Sequence, residues 1–184
     1  SSDGSTVAIG AFGNNGNGSY SGHVRIYKKI SGTWTQVGSD IDGDTANEYS
    51  GWSVSLSSDG SIVAIGGGID LTATPFGIGG VGTGSGTSSG HLRIYKNISG
   101  TWTQIGLDID GEAVNDQSGW SVSLSSDGSI VAIGAFGNDG NGLSSGHVRV
   151  YKNISGTWTQ VGSDIDGEAA ADWSGWSVSL SSDG

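Results

Sequence analysis

Carboxylates recur at one place three times in this chain. The run “SDIDGDTANEYSG” offers Asp40, Asp42, Asp44, Asn47 and Glu48; “LDIDGEAVNDQSG” offers Asp108, Asp110, Glu112, Asn115 and Asp116; “SDIDGEAAADWSG” offers Asp164, Asp166, Glu168 and Asp172. Clustered acidic oxygens are hard ligands suited to calcium, which takes roughly six to eight of them. Here the spacing is Asp-x-Asp-Gly-acid, whereas the EF-type loop reads Asp-x-Asp-x-Asp-Gly, so the glycine comes two places early. Two readings stand side by side. In one, calcium is held by Asp40, Asp42 and Asp44, by Asp108, Asp110 and Glu112, and by Asp164, Asp166 and Glu168, with Asp42, Asp110 and Asp166 foremost. In the other, Asp and Gly build a solvated turn and keep an edge strand from pairing with strangers. The shorter “SSDG” motif, with Asp3, Asp59, Asp127 and Asp183, supplies one carboxylate per copy and reads as a hairpin turn.

Nucleophilic and acid–base chemistry has less to work with. His23, His91 and His147 recur in “SGH”, each followed two residues later by Arg25, Arg93 or Arg149. A catalytic site is normally a single constellation, so a residue present in every copy reads as architecture. No Gly-x-Ser-x-Gly elbow occurs. The runs “GNNGNG” and “GNDGNG” lack the lysine of a phosphate loop and precede no helix. The expectation is no enzyme and no required cofactor, with calcium as the one candidate ion. Three Asn-x-Ser sequons, at Asn17, Asn97 and Asn153, are candidate glycosylation sites. The tryptophans of “GTWTQ” and “SGW” recur in register and read as packing, but Trp173 replaces Tyr49 and Gln117 in the acidic turn and could stack on a sugar ring.

The elements that position these groups come from a repeat. Laid out from each “SSDG”, the chain divides into units 1–56, 57–124 and 125–184, the last of which closes on the start of a further copy. The first 56 residues and residues 125–180 are identical at 45 of 56 positions. The middle unit carries twelve extra residues between “VAIG” and “SGHLRIY”, and an insertion confined to one slot marks a loop. Because the chain starts inside the motif and without methionine, it reads as an excerpt or mature product of something longer. Within a unit, “GWSVSLSS” alternates apolar and serine residues, “IVAIGA” is continuously apolar, “GHVRIYK” alternates again, and “ISGT” turns it into “TWTQVGSDI”. These are four short strands, called a to d, in an antiparallel meander. No helical spacing is sustained.

Composition narrows the class further. There are 36 glycines, one proline, no cysteine and a formal charge of −11, with only seven Lys plus Arg. Nucleic acid is excluded as a partner, since phosphate neutralisation needs a basic patch. No apolar run approaches the roughly 18 residues of a membrane span, so no membrane insertion is expected. Four strands in about 56 residues is the size of a propeller blade, each sheet burying its faces against its neighbours. The alternative is a β-solenoid.

The order “GWSVSLSSDGSIVAIGAFGNDGNGLSSGHVRVYK” resembles the FG-GAP repeat of integrin-α-type propellers, in the variant form of large secreted or surface proteins. That resemblance implies an all-β, propeller-type array of four-stranded antiparallel blades, with ligands met on the face that carries the b–c and d–a loops. It also implies a long calcium loop between strands a and b, which is here cut to “SSDG”. Three blades are fewer than the about four to eight of a closed ring. The array is therefore expected to be part of a larger ring, half of a six-bladed dimer or a stretch of filament. The last strand a, near residues 176–180, could complete the first sheet. The expected role is a non-enzymatic structural or adhesive segment, extracellular or at the cell surface, whose partners are copies of itself or further repeats. The competing role is a calcium-assisted module that binds a glycan or a protein through the acidic loop face.

Overall fold

The computed structural model describes residues 1–69 and 89–184. Most of the twelve-residue insertion of the middle unit lies outside the described residues. Each unit opens on a turn that the sequence spells out. In the second unit Ser57 Oγ donates to Asp59 Oδ1 at 2.7 Å, the Ser61 amide donates to the same oxygen at 2.9 Å, and the Ile62 amide donates to Ser57 Oγ at 2.9 Å. Gly60 takes the left-handed conformation, φ 71°, that closes the turn. The Ser61 amide, followed by the Ser57 hydroxyl, holds the Asp59 carboxyl below the usual carboxylate range. These aspartates are turn builders.

Fourteen strands and no helix are found among the described residues. The first sheet contains β1 (Thr6–Gly10), β2 (His23–Ile30), β3 (Thr33–Gln36) and β4 (Ile41–Asp42). The second contains β5 (Ser53–Leu56), β6 (Ile62–Gly67), β7 (His91–Ile98), β8 (Thr101–Gln104) and β9 (Ile109–Asp110). The third contains β10 (Ser121–Leu124), β11 (Ile130–Ala135), β12 (His147–Ile154), β13 (Thr157–Gln160) and β14 (Ile165–Asp166). All pairings within the sheets are antiparallel, in the order β5-β6-β7-β8 and β10-β11-β12-β13. The chain is an all-β, propeller-type array of blades. Sheets and sequence units are offset, because the “SVSL” strand that ends one unit is the first strand of the next sheet.

Strand d, expected as one piece, is split. Tyr27 faces Gln36 and Val24 faces Ile41, so residues 37–40 bulge out opposite Arg25 and Ile26. The same break separates β8 from β9 and β13 from β14. Such a bulge re-aims the side chains next to it, and here it swings an aspartate back over strand c.

The core sits between sheets. Val24, Ile26 and Ile41 of the first sheet pack on Val63 and Ile65 of the second. Ile62, Ala64, Leu92, Ile94 and Ile109 pack on Val131 and Ile133 of the third. Strand β6 thus sends alternate residues into two cores and is buried throughout, which is why its sequence is continuously apolar. Strand β1, with a neighbour on one side only, is half exposed.

Adjacent sheets meet at glycine. A Cβ on Gly10 would lie 2.0 Å from the Gly51 carbonyl oxygen, one on Gly66 would lie 2.1 Å from that of Gly119, and one on Gly134 would lie 2.0 Å from that of Gly175. At this approach the serines of the inner strands bond across the gap. Ser53 Oγ donates to Gly119 O at 2.6 Å, Ser121 Oγ donates to Gly175 O at 2.7 Å, and Ser55 Oγ accepts from the Leu124 amide at 3.0 Å. Trp52, Trp120 and Trp176 form a column with ring centroids 4.8 Å apart at each step.

The expected pairing of the last strand a with the first sheet is not formed. The Leu180 amide donates instead to Ser123 Oγ at 3.0 Å, and β1 pairs with β2 alone among the described residues. Replacing Gly66 with Ala drives a methyl into backbone and is expected to cost about 2–3 kcal/mol. Gly13→Ala, where a Cβ meets open space, is expected to stay near neutral, and urea unfolding of the two variants checks the contrast.

Candidate functional site

The bulge in strand d and the arginine of strand c make the first contact. In the first sheet Arg25 Nε and Nη2 both reach Asp40 Oδ2 at 2.9 Å, while Gln36 Nε2 donates to Asp40 Oδ1 at 2.6 Å. Arg25 foremost, then Gln36, holds the Asp40 carboxyl below its ordinary range. Half of the Arg25 side chain remains exposed.

In the second sheet the same arginine is enclosed. Arg93 Nε lies 2.8 Å from Asp108 Oδ2, Nη1 lies 2.5 Å from Glu48 Oε1 and Nη2 lies 3.0 Å from Asp44 Oδ2. Two of these three carboxylates come from the acidic turn of the preceding repeat. Glu48 is buried, and its other oxygen accepts the Asp44 and Thr45 amides at 2.6 and 3.0 Å. Burial pushes the Glu48 carboxyl upward, but His91, the Arg93 charge and the Thr45 amide together outweigh burial and hold it below the usual range.

The third sheet varies the theme. Arg149 Nη1 lies 3.3 Å from Glu112 Oε1, Nη2 donates to the Asp110 carbonyl at 2.9 Å, and the guanidinium stands over the Tyr151 ring at 5.8 Å. Asp116 replaces Glu48 at this junction. Its Oδ2 caps the turn through the Ala113 amide at 2.9 Å, but the side chain is one methylene shorter. Between the sheets Trp102 Nε1 donates to Val37 O at 2.8 Å and Trp158 Nε1 donates to Ile105 O at 2.9 Å. The site is a clamp that repeats at each junction.

The loops expected to share a face do so by direct bonds. Tyr49 and Ser50 amides donate to Tyr20 and Ser21 carbonyls, and Trp173 and Ser174 amides donate to Ser144 and Ser145 carbonyls. Tyr49, Gln117 and Trp173 all have positive φ there. Trp173 lines a groove of about 450 Å³ with Val114, Phe136, Asp139 and Leu143. Beside this aromatic the lining holds one acid, Asp139.

The acids proposed for calcium divide among several partners, and of each turn's three at most two stay together. Asp40, Asp44, Asp108 and Glu112 go to arginines. Asp42 and Asp166 stand across the strand pair from His23 and His147. Asp110 gives its carbonyl to Arg149, Asp164 Oδ1 accepts from Gln160 Nε2 at 2.6 Å, and Glu168 is exposed. The three acids of one turn therefore do not form one shell. Among the described residues the close triads are His23, Asp40 and Asp42, and Glu112, His147 and Asp164, so histidine joins the acids that the sequence reading had kept apart from it. Of the sequons, Asn97 buries its Nδ2 while its Oδ1 accepts the Gly100 amide at 2.9 Å. Asn17 Nδ2 donates to Gly43 O at 3.1 Å, and Asn153 Oδ1 accepts the Gly156 amide in its hairpin. The missed residues are Glu48 and Arg93 as cross-repeat partners; the signal was the arginine two places after each “SGH”.

The sequence model of the FG-GAP repeat matches residues 107–151. No curated protein matches the chain in sequence. Among solved structures it is similar to hydrazine synthase of Kuenenia stuttgartiensis, at 15% identity and a TM-score of 0.56, over 99% of this chain and 51% of that one. A Bacteroides fragilis protein provisionally named a 6-phosphogluconolactonase is similar at 16% identity and a TM-score of 0.51, over 85% of this chain and 38% of that one. The periplasmic gluconolactonase of Pseudomonas aeruginosa aligns at 15% identity and a TM-score of 0.49, over 85% and 37%. The chain thus spans between about a third and about a half of the length of these structures. At such identity the likeness carries the blade fold and no activity. It nevertheless corrects the expectation of no enzyme: chains named as enzymes are built this way, so the blade fold does not exclude catalysis.

Breaking the buried clamp and the exposed one separates their weights. Arg93→Ala leaves the buried Glu48 without its arginine and is expected to cost about 3 kcal/mol, whereas Arg25→Ala, at a half-exposed pair, is expected to leave stability nearly unchanged; denaturant unfolding reads both. Because the Glu48 carboxyl is held low, its contribution is present above the ordinary glutamate range and lost as pH falls through its folded value. Stability should therefore drop below about pH 4.5, and Glu48→Gln should remove part of that drop in an acid unfolding series.

Proposed function

Starting from the FG-GAP repeat at 107–151 and the propeller-type blades, we propose that this chain is a protein–protein assembly segment whose outer faces dock head to tail on blades of the same kind, in a further copy of itself or in further repeats of a longer chain. One observation carries this reading: the junction is made twice inside the chain, and each outer face presents one unmatched half of it. Ile9 is 50% exposed while its counterparts Ile65 and Ile133 are at 2% and 1%; Ile165 is 58% exposed while Ile41 and Ile109 are at 6% and 7%. Trp34, equivalent to Trp102 and Trp158, is exposed and its Nε1 has no acceptor among the described residues, while Val161 O stands where Val37 O and Ile105 O accept. Arg25 faces outward on the first side, and Glu168, the counterpart of Asp44 and Glu112, faces outward on the other.

Two different faces that complement each other make a heterologous contact, which closes into a ring or runs on as a filament. Such an array fits a structural or adhesive role outside the cell or on its surface, the setting that the FG-GAP resemblance favours.

Light scattering tests the reading. The wild-type chain is expected well above 18.4 kDa and rising with concentration. Arg25→Glu alone or Glu168→Arg alone should lower the mass, and an equimolar mixture of the two variants should restore it, since the exchanged charges then face each other. A wild-type chain that stays at one monomer mass at every concentration overturns the proposal.

A further inference from the structure

The junction between the second and third sheets holds a histidine that its clamp does not satisfy. His147 is almost fully buried, and both ring nitrogens lack a hydrogen-bond partner. A neutral imidazole carries one donor and one acceptor, and burying both unpaired is unfavourable. The cause is a difference between repeats. In the second sheet His91 Nε2 lies 3.5 Å from the Glu48 carboxylate. In the third sheet the equivalent acid is Asp116, spent on its own turn, and Arg149 turns to Glu112 and the Asp110 carbonyl and makes no ion pair with Asp164. Asp164 Oδ2 is left open, 3.6 Å from His147 Nδ1.

We propose that Glu112, His147 and Asp164 form a binding site for a zinc-type divalent metal ion across this junction. Their ligand atoms lie within 4.8 Å of one another. A separation of 3.6 Å is too long for a hydrogen bond. It is close to the roughly 3.4 Å between two ligands of one tetrahedral ion bound at about 2.0–2.1 Å. One imidazole nitrogen with two carboxylates selects a borderline metal over calcium, which prefers an all-oxygen shell. Three protein ligands leave one position for water, as in open zinc sites. Gln160 Nε2, at 2.6 Å from Asp164 Oδ1, fixes the carboxylate from behind, the usual task of an outer partner.

The other two junction histidines do not offer this site. His23 has Asp40 and Asp42 at 3.7 and 3.9 Å, but Asp40 Oδ2 is taken by Arg25. His91 faces a glutamate held by Arg93. In the third sheet Arg149 gives up its contact to Glu112 when the ion enters, and keeps the Asp110 carbonyl and the Tyr151 ring. Glu112 belongs to the second repeat and the other two ligands to the third, so the ion ties the repeats together.

The test uses the untagged full chain, stripped with chelator and titrated with zinc, with cobalt as a spectroscopic stand-in and with calcium. One equivalent of zinc is expected, together with a rise in Tm, a visible cobalt band and zinc-dependent shifts of the His147 ring nitrogens in NMR. Asp164→Asn and Glu112→Gln alter partly exposed carboxylates and keep the fold; each is expected to weaken zinc by more than about tenfold, while Asp42→Asn leaves it unchanged. Absence of stoichiometric zinc binding overturns the site, as does zinc binding that Asp164→Asn and Glu112→Gln leave intact.

Discussion

The close approach of one sheet's backbone to the next, permitted by facing glycines, is the constraint on which the other contacts rest. Any side chain at Gly10, Gly66 or Gly134 would occupy the space of the carbonyl oxygen of Gly51, Gly119 or Gly175. With the glycines in place, inner strands sit near enough for Ser53 and Ser121 hydroxyls to reach across and for the tryptophan column to form. The serines of “GWSVSLSS”, which alternate as a solvent-facing set would, are bonded to the neighbouring repeat instead. Widening the gap by one methyl would strand these groups together, because buried hydroxyls and carbonyls need partners.

The same spacing decides what the charges do. A chain with a formal charge of −11 has only three arginines, and each stands at the same place on strand c, facing the bulge of strand d. At the two internal junctions the apolar cores supply burial, while Arg93 and Arg149 contact the acidic turn of the preceding repeat. Electrostatic complementarity of this kind fixes register and partner more than it adds affinity. It also gives the acidic turns a partner: Asp44, Glu48 and Glu112 accept from arginines of the next repeat.

The strands, their order and the blade architecture were legible because period-two patterning, Asp–Gly turns and a 56-residue repeat all point the same way. The continuous apolar run “IVAIGA” announced a strand buried on both faces, and β6 is one. The split of strand d was not legible: “TWTQVGSDI” carries one glycine and no proline, and the bulge follows from register against strand c rather than from any local signal. The site was half legible. The acidic turns stood out as clusters, but ligand spacing along a chain describes one loop at a time, and here the partners lie across a repeat boundary, as Arg93 and Glu48 do. The histidines were set aside because they recur, yet recurrence in sequence hid three different environments.

Those environments go with changes at matched positions of the acidic turn. Glu48, Asp116 and Asp172 occupy one place in three equivalent turns, and each caps its own turn by accepting the amide three residues before it. Only the glutamate is long enough to cap the turn and also contact the next repeat's His91 and Arg93. With aspartate there, the guanidinium of Arg149 moves to a carbonyl and an exposed glutamate, and the imidazole of His147 is left without a bond. The shorter acid, together with glutamate at 112 in place of Asp44, goes with the change from a junction closed by an ion pair to one with open ligands. In a repeat array the fold is set by what the copies share, and chemistry enters where they differ.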